Sequence, residues 1–188
     1  MRRNLIPALI GALLFFAGVL VTLAVERTAP PDGGLASVIV YDDWRLGCPA
    51  MGKSAALPCE LDQDVLDARS RSPLLHLAIG QTPSGRVLAI TVPHNVLLPP
   101  GMALLLGKNP AKAVAYDFCD ASGCIAAIPM DAALEKALHD ADKGQVTIAS
   151  LQGKPAGIPF SLRGVKDGLS ALDKSAARRG SWWRRLFS

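Results

Sequence analysis

The sequence predicts a mainly β protein, a small antiparallel β-sandwich or barrel-like domain with two short helices, preceded by one transmembrane helix. Three observations lead there. Short apolar runs with strand-like alternation recur between turn signals through the middle of the chain. Four cysteines fall into two local pairs, as in a small domain braced by disulfides in an oxidising compartment. Residues 5–25 form 21 consecutive uncharged, mostly apolar positions. At about 1.5 Å per residue such a helix spans a hydrocarbon core of roughly 30 Å.

Taken in order, residues 1–4 form a short cytoplasmic end carrying Arg2 and Arg3, and 5–25 the transmembrane anchor. The basic end stays inside by the positive-inside bias, which puts everything after residue 26 on the periplasmic side of a bacterial inner membrane. A cleaved signal peptide is the alternative. It has a shorter apolar region and a small-residue cleavage site, for which only Thr22-Leu23-Ala24 offers itself. Residues 26–36, rich in Pro and Gly, read as a linker.

The domain then covers 37–173. Its predicted strands are 37–41, 44–48, 74–79, 86–92, 102–106, 113–119, 124–130, 145–151 and 158–162, separated by turns such as TPSG at 82–85 and LPPG at 98–101. The apolar stretch 90–107 is no second span, because Pro93, Pro99 and Pro100 break any helix through it. The polar segment 61–72 has no evident assignment. Asp131 is a good N-cap for a helix in which Leu134 and Leu138 form an apolar face and Gly144 is the stop. A last helix over 164–179 places Val165, Leu169 and Leu172 on one side, ready to dock. Residues 174–188 remain as a basic aromatic tail.

The net charge of +4 is uneven. Arg2, Arg3, Lys174, Arg178, Arg179, Arg184 and Arg185 lie at the ends, leaving 13 basic against 16 acidic side chains between them. A folded basic face with interleaved aromatics is missing, so nucleic acid is not an expected partner.

Three pairings of Cys48, Cys59, Cys119 and Cys124 are open, and Cys48 with Cys59 plus Cys119 with Cys124 is favoured because each closes a short loop. Zinc knuckles need closer cysteine spacing. A redox pair would avoid acids such as Asp117 and Asp120. Neither a metal nor any other cofactor is expected.

Catalysis needs a nucleophile, a base and an orienting acid in one place. The imidazoles available are His76, on a strand between Leu75 and Leu77, His94 in a turn and His139 on a charged helix. No nucleophile-elbow, P-loop or zinc-protease motif is present, so an enzyme is not expected. The tail is more informative. Arg178, Arg179, Trp182, Trp183, Arg184, Arg185, Leu186 and Phe187 mix guanidinium and indole groups in a way that suits a bilayer interface or a membrane-protein partner. A solvated, disordered end is the plain alternative.

Trp44-x3-Cys48, Cys59-Glu60-Leu61-x-Gln63, VPHNVLLPPGMAL over 92–104, FCDASGCIA over 118–126 and SLRGVKDGLSAL over 161–172 together resemble the invasion-associated locus B proteins of alphaproteobacteria, across nearly all of 40–173. The resemblance implies a small secreted or periplasmic β-rich domain without an established catalytic activity. Two features depart from the family pattern. His94-Asn95 stands where an apolar residue and glycine are customary, and the leader reads as a retained anchor. The expectation is an anchored domain acting through protein contacts as an accessory subunit of an inner-membrane complex, with a secreted or envelope invasion-associated factor and an uncharacterised enzyme as the alternatives.

Overall fold

The computed structural model describes the backbone of residues 35–49 and 58–186, with side chains over 37–49 and 58–176. The predicted cytoplasmic end and anchor, and the linker up to residue 34, lie outside the described residues. Among the described residues no helix is long and apolar enough to cross a membrane.

The described chain folds as β1(Leu35–Tyr41), β2(Trp44–Pro49), β3(Glu60–Leu66), β4(Pro73–Thr82), β5(Gly85–Val92), β6(Met102–Leu106), β7(Lys112–Val114), β8(Phe118–Asp120), β9(Gly123–Pro129), α1(Ala132–Asp140), β10(Lys143–Ala149), β11(Pro155–Ser161) and α2(Val165–Leu186). One antiparallel sheet has the order β1-β2-β3-β4-β5-β9-β8, the other β11-β10-β6-β7. Side chains of both sheets and both helices meet in one hydrophobic core, which makes this the sandwich form of the predicted class. Period-two alternation decides what enters it. Leu75, Leu77 and Ile79 of β4, Leu88, Ile90 and Val92 of β5, and Cys124, Ala126 and Ile128 of β9 point inward.

Four elements differ from the sequence reading. The unassigned polar segment is β3, whose Leu61 and Gln63 are buried while Glu60, Asp62 and Asp64 take the outer face. Counting charges hid the alternation. The single strand predicted over 113–119 is two, because the chain leaves the four-stranded sheet after Val114 and joins the seven-stranded sheet at Phe118. The first helix has its predicted N-cap, Asp131 accepting from the Leu134 N–H at 2.7 Å, but ends at Ala141 in extended conformation. Gly144 is therefore no stop. It lies in β10, where a Cβ would fall 2.2 Å from the Phe160 ring. The second helix is not short, running 22 residues and beyond position 173 without a break. Its first turns dock as expected, with Val165, Leu169 and Leu172 all buried.

Arg86 on β5 ties the sheet to both helices, pairing with Asp173 of α2 and lying 3.7 Å from Glu135 of α1. The Trp44 indole, fully buried, donates to the Ser161 carbonyl at 3.1 Å and links the ends of β2 and β11.

Candidate functional site

The two disulfides join Cys48 to Cys59 and Cys119 to Cys124, the favoured pairing. The first closes the end of β2 onto the start of β3, across residues 50–57. The second joins directly opposed residues of β8 and β9 next to the Asp120–Gly123 turn. Both fasten places where the sheet ends and backbone pairing runs out.

The Cys119–Cys124 hairpin has a second tie. His94 donates from Nε2 to the Asp120 carbonyl oxygen at 2.6 Å, so the 92–101 turn is pinned to the hairpin tip. Asp120 itself is held below the usual carboxylate range by hydrogen bonds from the Ser122 hydroxyl and N–H. Here His94 supplies a turn contact that the customary apolar-Gly pair cannot make. Gly101 ends the same turn at φ +67, where a Cβ would meet the Val114 carbonyl oxygen at 2.4 Å.

A polar cluster missed by the sequence reading lies on the outer face of the seven-stranded sheet. Strand register places Arg45 beside Asp62, and Asp64 beside His76. Arg45 binds both carboxylates, donating from Nε to Asp62 at 3.0 Å and from Nη2 to Asp62 and Asp64. His76 Nδ1 lies 2.7 Å from Asp64 Oδ1. Partial burial pushes the Asp64 carboxyl up, but His76 and Arg45 outweigh it and hold the group below its ordinary value. Glu60, next along β3, is raised by desolvation and by Asp62, against the pull of His76. Its carboxyl lies along the sheet, where a methyl on Gly80 would sit 3.7 Å from Oε2.

Asp62, Asp64 and His76 are ligand types, and their nearest ligand atoms lie within 4.8 Å of one another. Arg45 already occupies the carboxylates a cation would need. The arrangement is therefore a satisfied ion-pair network. Its sequence signal was Glu60-x-Asp62-x-Asp64, with Leu61 and Gln63 between.

The surface clefts among the described residues include the following two. One of about 250 Å³ is lined by Leu104, Leu106, Asn109 and Lys112 on one side and by Leu134 and Ala137 of α1 on the other. The other, about 500 Å³ and open, lies over Phe160 among Asp142, Lys143 and the Asp43–Arg163 pair, which is 2.8 Å apart. The three histidines are distributed on β4, in the 92–101 turn and on α1. His76 is held by Asp64 and His94 by the Asp120 carbonyl.

Of the predicted tail, Arg178, Arg179, Trp182, Trp183, Arg184, Arg185 and Leu186 fall on the backbone of α2. Their side chains, and Phe187 entirely, lie outside the described residues.

Residues 44–173 match the family model described as Invasion associated locus B (IalB) protein. Among solved structures, the crystal structure of invasion associated protein b from Bartonella henselae is similar, with a TM-score of 0.62 and 19% identity, covering 74% of this chain and 97% of that one. At that identity the likeness shows the fold. No curated protein matches the chain.

Proposed function

The chain belongs to the invasion associated locus B family, and from that premise we propose that it is a non-catalytic periplasmic domain, anchored in the inner membrane by residues 5–25 and acting through protein contacts as an accessory subunit of a membrane complex. The observation that carries this reading is the course of α2. The turns bearing Val165, Leu169 and Leu172 are fixed in the core, and the same helix continues to Leu186 through the arginine and tryptophan positions. A basic aromatic segment that continues a docked helix reaches out in a direction set by the domain. Together with the apolar 5–25 segment it provides two attachment points for a small cap on a larger assembly, in contact with inner-membrane lipid and a membrane-protein partner.

A second reading, a secreted or envelope factor, is favoured by the likeness to the Bartonella henselae invasion associated protein. It needs the domain surface and release from the anchor. Co-purification of the full-length protein in nanodiscs from its native membrane, with mass spectrometry of its partners and its own N-terminus, separates the two. A stoichiometric membrane complex with residues 5–25 retained supports the accessory subunit. A solitary protein beginning near residue 25 overturns it in favour of the released factor.

A further inference from the structure

Sheet edges carry unpaired N–H and C=O groups, and folded proteins protect them with short strands, charges, prolines or covering segments. Among the described residues, three of the four edges are protected in this way. β8 has three residues, ends in Asp120 and is locked by a disulfide. β7 has three residues and begins with Lys112, and β11 carries Pro155 and Pro159. The fourth edge, β1, is different. Its seven residues, LASVIVY, contain neither charge nor proline. Val38, Ile39 and Val40 are 51%, 49% and 63% exposed, a continuous apolar stretch along the free side of the sheet.

We infer that β1 is a self-association edge, on which a second copy of this chain adds its own β1 antiparallel, centred on Val38. The register suits it. Tyr41 and Trp44 flank the two-residue turn Asp42-Asp43, with Asp42 at φ +50, and such a turn is closed by a hydrogen-bonded pair. Alternation along the strand then directs the backbone groups of Val38 and Val40 to the open side. In the self-paired ladder Val38 faces Val38 and Ile39 faces Ser37, and the ladder stops there, because the register of β1 shifts between Leu35 and Ser37. No charge is opposed to another over the length of the strand, and Asp42 falls beyond its end.

The chain leading into the strand argues for a second copy as occupant, and this step rests on the proposed anchoring. Nine residues separate Val25 from Leu35, so β1 begins within about 35 Å of the apolar segment. Anchored copies hold their β1 strands at one height above the same bilayer, which raises their effective concentration toward each other. Antiparallel pairing puts the two strand starts about 20 Å apart, within reach of both linkers.

The test uses the full-length protein in its native membranes. All four cysteines are in disulfides, so a V38C variant has one free thiol. Directly opposed residues of a hydrogen-bonded antiparallel pair have Cα atoms about 5.5 Å apart, which a disulfide spans. Mild oxidation is expected to convert V38C to a covalent homodimer, while L151C, at an equally exposed turn, stays monomeric. Val38→Lys with Val40→Lys is expected to give monomers by native mass spectrometry in detergent, with an unchanged thermal midpoint. V38C dimer no more abundant than that of L151C, or capture of a different protein, overturns the inference. Carbonate extraction of the same membranes reads the anchor separately. Released protein that still forms the V38C dimer sinks the anchor and keeps the edge; retained protein that forms none does the reverse.

Discussion

Asp131 shows how one side chain sets an element. Its carboxylate accepts the Leu134 N–H, and Asp131→Ala is expected to cost about 1 kcal/mol in urea unfolding, the usual loss for an N-cap. Gly144 shows the reverse case, a side chain that must be missing. A Cβ there would lie 2.2 Å from the buried Phe160 ring, so Gly144→Ala is expected to destabilise by roughly 1 to 3 kcal/mol as the ring is displaced. Glu60 offers a pH test. Its folded pKa is raised, chiefly by desolvation. The folded state therefore favours the protonated form, and stability is lost as pH rises from the unfolded value, about 4.3, through the folded one. Glu60→Gln is expected to raise the thermal midpoint at pH 7 by less than about 1 kcal/mol equivalent, since the group is partly solvated. The gain should vanish below about pH 4. An equal gain at both pH values would show that charge is not the cause. Asp64 titrates with the opposite sign. Its depressed pKa contributes stability above the unfolded value that is lost as pH falls through the folded one.

At the scale of elements, the disulfides separate by loop length. Cys48–Cys59 spans 11 residues and Cys119–Cys124 spans 5. Chain-entropy arguments give about 3 and about 2 kcal/mol respectively. Paired Cys→Ala variants in chemical unfolding should show the larger loss at Cys48–Cys59. The opposite order would mean that native contacts at the β8–β9 tip, including the His94 hydrogen bond, outweigh loop closure. The strands also show what alternation can and cannot reveal. β6 has its predicted bounds, because its buried and half-buried positions alternate cleanly. β3 escaped notice because three acids occupy its outer face, although its inner face is as regular as any other. β7 and β8 read as one strand, since a chain that changes sheets keeps its β-like composition through the crossing.

For the whole molecule, the docked and projecting parts of α2 are expected to separate by mutation. Removing residues 177–188 leaves Val165, Leu169 and Leu172 in place, so the thermal midpoint should hold, while association with anionic liposomes or the membrane partner falls. Unchanged association of the anchor-free, truncated domain would end the membrane-contact reading of the tail. The sequence alone determined the β class, the α1 cap and the docking stripe of α2, and it favoured the two disulfide pairs that form, because each depends on spacing within a few residues of chain. It also carried the family motifs. Only the tertiary structure decided that Arg45, Asp62, Asp64 and His76 form one network, that Gly144 makes room for Phe160, and that β1 is an edge strand without charge or proline among the described residues. Those features depend on which strands become neighbours, and strand order is settled by packing two sheets around a common core, which no local pattern encodes.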